Sequence, residues 1–168
     1  MAQTQANDAY LVDDEDDETS YMENHYMLFT LAGDHFGVGI AHITDVIELP
    51  ALLPVPNAPD FVKGVMHLRG KIISVWDLRK RFAMPPRESG GRNCVIVLTS
   101  GDQTVGIVVD AVLEVVEIAA LQKSTDMGKH FSDEKLIKGV GHVNGRVKII
   151  LDVFNLIENE TQGVQHEN

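Results

Sequence analysis

The sequence predicts an all-β protein with short helices, folded as two similar small β-barrels that pack against each other. An internal repeat is the main reason. Residues 63–70 read KGVMHLRG and residues 138–145 read KGVGHVNG, 75 positions apart, and a second match aligns residues 37–49 with residues 106–118, 69 positions apart. Short runs rich in Val and Ile, separated by Gly and Pro turn signals, favour barrels over a parallel α/β sheet.

The repeat also sets the expected domain boundaries. The two copies cover roughly residues 26–82 and 94–157, within a folded region at 26–158 that is followed by a C-terminal tail at 159–168. The two offsets differ by six residues, which predicts a loop insertion within 119–134. A module of about 60 residues is marginally stable alone. We therefore expect the modules to pack together, with a groove between them as a natural binding site.

Each copy is expected to contain the same elements in the same order. A first strand leads through a Gly-Asp turn to a second strand, and a later strand ends at an aspartate that can cap a short helix. The hairpins are expected at 26–31 with 35–40 around Gly33-Asp34, and at 94–99 with 103–109 around Gly101-Asp102. The later strands are expected at 71–76 and 146–151, each followed by Asp77 or Asp152 and a helical turn at 78–82 or 153–157. Pro85-Pro86 and Gly90-Gly91 mark the linker between the copies.

The net charge of −11 is concentrated at the N-terminus. Residues 1–25 hold eight acidic residues and no Lys or Arg, so we expect a solvated, disordered tail, or alternatively a segment that docks on a basic partner. The remaining residues carry a net charge of only −3, which disfavours nucleic-acid binding. With one cysteine, Cys94, and no apolar run of about 18 residues, the chain is expected to be cytoplasmic and not inserted in a membrane.

The motifs do not favour catalysis, a cofactor or a metal site. His67 and His142 occupy equivalent repeat positions, which is better explained by turn or core geometry than by one shared metal site. No G-x-S-x-G elbow and no glycine-rich phosphate loop are present. Helix capping accounts for Asp77 and Asp152, the only carboxylates that suggest a catalytic pair. We expect a non-enzymatic protein, with an enzyme using the cleft between the modules as the rival hypothesis.

Differences between the copies indicate where function lies, because the fold needs only what both copies share. Copy one has Arg69 where copy two has Asn144. Arg69 precedes a glycine in a turn that enters a strand, so its guanidinium is expected either to reach into a groove as a binding anchor or to pair with a local acid. The cluster Arg79-Lys80-Arg81 is expected to form a solvated helical face.

The stretch 64–82, GVMHLRGKIISVWDLRKRF, resembles the signature of the CheW family of bacterial chemotaxis coupling proteins, G-V-x-N-L-R-G-x-I-x-P-V-x-D-L-R. Residues 26–40, 94–98, 105–118 and 138–157 are also similar to that family, so the resemblance covers about 26–158. Two departures stand beside Arg69. His67 replaces the usual Asn and Ser74 the usual Pro, which bears on receptor preference rather than on the fold.

The resemblance implies two five-stranded, SH3-like barrels around a hydrophobic interface. It implies a scaffold that couples the cytoplasmic tips of chemoreceptors to the histidine kinase CheA, through the CheW-like regulatory domain of the kinase, in receptor arrays beneath the inner membrane. An adaptor of the same fold in a different receptor-kinase pathway, controlling surface motility or gene expression, is the alternative.

The family's functional positions carry over to seven residues of this chain. Arg69 matches the receptor-groove arginine. The other groove positions are Ile43 and Asp45 on the first-barrel side and Val112 and Val115 on the second-barrel side. Gly64 and Gly106 match glycines whose replacement should disturb the fold or the groove.

Overall fold

Strands dominate the part of the chain that the computed structural model describes, residues 22–84, 93–123 and 134–158. The strands are β1 (His25–Leu31), β2 (Asp34–Gly39), β3 (Ile43–Glu48), β4 (Val62–Leu68), β5 (Lys71–Asp77), β6 (Cys94–Ser100), β7 (Gln103–Val109), β8 (Ala111–Glu117), β9 (Ile137–Val143) and β10 (Arg146–Leu151). Helix α1 spans Leu78–Arg81, helix α2 spans 153–158, and 3-10 turns span Ile40–His42 and Glu134–Leu136. The predicted acidic tail, apart from residues 22–25, the linker, most of the predicted insertion and the C-terminal tail lie outside the described residues.

The strands form two five-stranded sheets, as the fold-class prediction requires, but each sheet mixes strands of both repeats. Barrel 1 has the order β8-β1-β2-β10-β9, and barrel 2 has the order β3-β6-β7-β5-β4. The expectation that residues 26–82 and 94–157 each form one barrel is therefore wrong in strand membership. The first hairpin of each repeat joins the last strands of the other repeat, through parallel pairing of β2 with β10 and of β7 with β5.

A short connection after the hairpin of each repeat explains this exchange. In the first repeat, the single 3-10 turn Ile40–His42 follows β2 and leads the chain into β3, which pairs with β6 of the second repeat. In the second repeat, Asp110 alone separates β7 from β8, which pairs with β1. Each repeat thus crosses from one barrel to the other after its hairpin.

Each sheet is closed into a barrel by the chain that follows its edge strand. Leu53 exchanges two backbone hydrogen bonds with Val65 of β4, at 2.9 and 2.8 Å, and Gln122 makes the equivalent pair with Val140 of β9, at 2.9 and 2.7 Å. Full closure satisfies backbone groups that an open sheet edge would leave unpaired.

Three apolar clusters fill the fold. Tyr26, Leu28, Ile118 and Ile150 pack inside barrel 1. Barrel 2 is filled by a second cluster that includes Met66, Ile73, Val75, Val95 and Val97. The largest cluster lies between the barrels and takes residues from both repeats, with Phe36 stacked between Phe29 and Phe82 at centroid distances of 5.9 and 6.0 Å. This confirms the expected hydrophobic interface, whose burial removes large apolar surfaces from water.

Most predicted local elements are present, with one shift of register. The first hairpin turns at Ala32-Gly33, both with positive φ (52° and 87°), and Asp34 already begins β2, so the predicted Gly33-Asp34 turn is wrong by one residue. Asp77 and Asp152 cap the two helices as expected. Their carboxylates accept 2.9 Å hydrogen bonds from the backbone N–H groups of Arg79 and Asn155. No helix in the described ranges is long and apolar enough to cross a membrane.

Candidate functional site

The edge strands β3 and β8 occupy equivalent positions in the two barrels, and each carries one predicted groove residue against the inter-barrel core. Ile43 lies opposite Leu98, and Val112 lies opposite Phe29. Both opposing residues are fully buried in the core between the barrels. Directly opposed residues of paired strands point to the same face of a sheet. Ile43 and Val112 therefore cover the margin of that core while remaining half-buried.

Two further valines extend this apolar margin. Val115, a predicted groove residue, lies opposite Met27 and is 46% exposed. Its repeat equivalent is Val46, which lies opposite the buried Ile96 and is 41% exposed. Val46 was missed at the level of the sequence, although the alignment of 37–49 with 106–118 places it at the position of Val115. We call Ile43, Val46, Val112 and Val115 the apolar seam.

Asp45 does not point to the same side as the seam. The pairing of β3 with β6 shifts between Ile43 and Asp45, so that Asp45 lies opposite Val97, a residue of the barrel 2 interior. Such a bulge turns the next side chain to the other face of the strand. Asp45 is thereby placed at the end of barrel 2, where its Oδ1 accepts a 2.8 Å hydrogen bond from Nη2 of Arg69.

Arg69 and Asp45, both predicted from the resemblance, thus form an ion pair. The arginine side chain is 75% exposed and the aspartate side chain is 16% exposed. The pairing with a local acid was one of the two alternatives for Arg69. Exposed pairs of this kind contribute about 0–1 kcal/mol to stability. The exposed guanidinium keeps donors available for a ligand, because it has five N–H groups and uses one here.

Arg69 introduces backbone strain into the turn between β4 and β5. Arg69 has φ 52° and Gly70 has φ 79°, the conformation of a two-residue turn with positive φ at both central positions. The equivalent turn in the second repeat is Asn144-Gly145, with φ 53° and 78°. Asn and Gly are favoured there, whereas a long side chain at positive φ costs on the order of 1 kcal/mol. A strained arginine where asparagine would suffice indicates a role other than folding.

The two predicted structural glycines stand at close approaches of the chain. A Cβ on Gly64 would lie 2.7 Å from the backbone oxygen of Leu53, in the segment that closes barrel 2. A Cβ on Gly106 would lie 2.7 Å from Cγ1 of Val95, inside the same barrel. Neither position has room for a side chain unless its neighbour moves.

An ion pair connects the two barrels. Arg79, in α1 after β5 of barrel 2, donates to Oδ1 of Asp110 at the entry to β8 of barrel 1. Oδ2 of Asp110 accepts a 2.9 Å hydrogen bond from the backbone N–H of Ala32, in the β1–β2 turn of barrel 1. The Arg79 side chain is only 14% exposed. The expected solvated face at 79–81 is therefore wrong for Arg79 and correct for Lys80, which is 54% exposed.

A cleft of about 560 Å³ lies elsewhere, at the end of barrel 1 where the chain enters β1. Its walls include Tyr26, Lys138 and Phe154, and they contain none of the seven predicted site residues. Among the residues described, no three His, Cys, Asp or Glu side chains are grouped closely enough to hold a metal ion.

Comparisons with known proteins agree with this geometry. The model of the CheW-like domain family matches residues 25–161. The chemotaxis protein CheW of Klebsiella aerogenes is 32% identical over 137 residues, 80% of this chain and 82% of that protein. CheW of Thermotoga maritima is 36% identical over 123 residues, 73% of this chain and 80% of that protein.

A solved structure shows the same fold. The crystal structure of the scaffolding protein TtCheW from Thermoanaerobacter tengcongensis superposes with a TM-score of 0.73 at 28% identity, covering 79% of this chain and 86% of that chain. The family-model match at residues 25–161 includes both barrels and every residue of the apolar seam. The chain therefore belongs to the CheW family.

Proposed function

We propose that this chain is a chemotaxis coupling adaptor that holds a chemoreceptor signalling tip and the histidine kinase CheA on two separate surfaces. Membership of the CheW family and the likeness to a scaffolding protein support an adaptor rather than an enzyme. In this proposal the chain acts in the cytoplasm, at receptor arrays beneath the inner membrane. It needs no cofactor, because its function is to bring two proteins into one assembly.

The receptor tip would bind along the apolar seam. Ile43, Val46, Val112 and Val115 offer half-exposed apolar surface next to the rigid inter-barrel core. An amphipathic helix recognises such a surface through side chains spaced three or four residues apart. The seam is symmetric between the repeats, so apolar contact alone would not fix the direction in which the helix lies.

Arg69 would supply that direction. Its guanidinium is exposed and is held at the end of barrel 2 by Asp45. The second repeat has asparagine, Asn144, at the equivalent position, so the arginine is present on one side only. An acid or a backbone carbonyl of the receptor tip would accept from it. The observation on which the proposal depends is this strained, exposed arginine, paired with Asp45, which lies along β3 between two residues of the apolar seam, Ile43 and Val46.

The kinase would bind by a different face. The regulatory domain of CheA is itself CheW-like, so contacts between barrels of the two proteins would leave the seam open. Two sites on one rigid body allow each partner to bias how the other is held. We name no residues for the kinase contact.

The experiment is an NMR titration of the isotope-labelled chain, first with a receptor-tip hairpin and separately with the CheA regulatory domain. We expect the receptor to shift resonances around Arg69 and the seam, and the kinase domain to shift a separate set. If both partners shift the same residues and compete, the two-surface adaptor is refuted. If neither produces shifts, the chain serves other partners.

A further inference from the structure

The open end of barrel 1 near the β9–β10 turn holds a group of basic side chains that the adaptor function does not use. Nη1 of Arg146 lies 2.9 Å from Nε2 of His35, and Nζ of Lys148 lies within hydrogen-bond distance of Nδ1 of the same ring. Arg146 and Lys148 are on β10, and His35 is on the neighbouring strand β2. We call these three residues the basic cluster.

Lys148 is buried although its side chain is a charged one. The residue is only 5% exposed. It lies two positions before Ile150 on β10, and Ile150 packs inside barrel 1, so Lys148 points to the interior side at the end of the barrel. The repeat places Ile73, a buried core residue, at the same position in barrel 2. A lysine therefore replaces apolar packing in one barrel only.

The two cations converge on an imidazole instead of on an acid. Neither Arg146 nor Lys148 has a carboxylate within 4 Å among the residues described. A neutral imidazole has one acceptor nitrogen and cannot accept from both. Burial, followed by the charges of Lys148 and Arg146, lowers the pKa of His35, against a smaller opposing effect of Asp34. Burial and Arg146 likewise lower the pKa of Lys148, which Glu114 opposes.

A buried cation without an acidic partner is costly, and the usual remedy is a carboxylate hydrogen-bonded to it. Lys148 is the buried cation of the cluster, and Arg146 is an exposed second donor beside it. We propose that the basic cluster is a carboxylate-binding site, and that its occupant is the acidic run at residues 13–18 of this same chain. Bound carboxylates would give both cations an acceptor and would favour the protonated form of His35.

Charge and reach both support this occupant. Residues 13–18 are six consecutive Asp and Glu residues, within a segment of 25 residues that has no Lys or Arg. The segment leads into β1, the immediate neighbour of β2. His35 lies opposite Thr30, five residues along β1 from His25, or about 17 Å. Residues 22–24 form a helical turn before β1. The acidic run lies four to nine positions before Met22, a stretch of chain that can span at most about 13–30 Å, so the run can reach the cluster.

The test compares the 168-residue chain with a variant of equal length whose acidic run is neutralised. The substitutions are Asp13→Asn, Asp14→Asn, Glu15→Gln, Asp16→Asn, Asp17→Asn and Glu18→Gln. The midpoint of the His35 ring titration is followed by NMR in both proteins, with His67 and His142 as internal controls for the general effect of net charge. A synthetic peptide of residues 8–20 is then added to the neutralised protein as a probe in trans.

We expect neutralisation to lower the His35 midpoint while the midpoints of His67 and His142 stay where they are, and we expect the peptide to raise the His35 midpoint again. The variant Lys148→Ile, which installs the residue found in barrel 2, should abolish the difference between the two tails. Equal His35 midpoints with and without the acidic run would overturn the proposal. A common shift of all three histidines, or no response to the peptide, would also overturn the proposal, because either result would mean that the acidic run acts on His35 only through long-range charge and does not bind the cluster.

Discussion

Replacing Arg69 with asparagine separates the binding role of this residue from its structural role. The second repeat has asparagine at the equivalent position, in a turn with nearly the same φ angles (52° and 79° against 53° and 78°). Arg69→Asn therefore removes the guanidinium but keeps a residue that suits the backbone. Arg69→Ala would not, because alanine is also strained at positive φ.

The structure sets the expected magnitudes. Relief of strain at φ 52° should stabilise the fold by about 1 kcal/mol. Loss of the exposed ion pair with Asp45 should cost about 0–1 kcal/mol. The free energy of unfolding should thus stay within about 1 kcal/mol of the parent protein. Loss of an interface arginine should weaken receptor binding by about 1–3 kcal/mol, or roughly 5- to 150-fold in Kd.

Urea denaturation would measure the first quantity, and titration with a receptor-tip hairpin would measure the second. Lys80→Gln is the matched control. It removes one positive charge from another exposed side chain, 54% exposed, and should leave receptor affinity unchanged. An unchanged Kd for Arg69→Asn would refute the assignment of Arg69 to the receptor site. A loss of stability of several kcal/mol would refute the account of the strained turn.

Three further predictions concern stability. Gly64→Ala should lower the free energy of unfolding, measured in urea, by about 1–3 kcal/mol, because the new Cβ would lie 2.7 Å from the backbone oxygen of Leu53. Gly39→Ala is the control and should cost less, because its Cβ would lie at an ordinary 3.5 Å from His42. In the protein whose acidic run is neutralised, stability should fall as the pH drops through and below 6.5, because the unfolded chain binds a proton that the lowered pKa of His35 resists in the fold. Adding Lys148→Ile should reduce this fall, and an unchanged pH profile after that substitution would contradict the charge argument. Asp152→Ala should cost about 1 kcal/mol through loss of the N-cap of α2, and a thermal melt identical to the parent would show that the cap contributes nothing.

The repeat predicted the local elements because each depends on nearby residues. The aspartates at 77 and 152 follow apolar strands and accept from backbone N–H groups two and three residues later. The exchange of hairpins was not predictable in this way. Both repeats carry compatible strands, and local pattern does not decide whether β2 pairs with β5 or with β10. The strands β3 and β8 were not assigned either, since bulges interrupt their alternation of apolar and polar residues.

Site residues that are distinguished by their own sequence position could be predicted, whereas those that are defined by a contact in the fold could not. Arg69 stood out because the repeats differ there. The role of Arg79 could not be predicted, because its partner Asp110 is 31 residues away in sequence and only the fold brings them together. The burial of Lys148 had a signal in the sequence, a lysine inside an apolar run where the first repeat has Ile73. Its meaning depended on the knowledge that this side of β10 faces a barrel interior.

The interleaved barrels have the form of a domain-swapped homodimer whose two chains have been joined into one. Two separate copies of a single repeat would build the same pair of barrels, each lending its first hairpin to the other. A homodimer, however, must carry every residue twice, at both symmetric positions. Fusion removes that constraint, so an arginine can stand at 69 without standing at 144, and a lysine at 148 without standing at 73. A symmetric ancestor would present the same surface on both sides. The fused chain can offer different chemistry on each side, as an adaptor between two unlike partners requires.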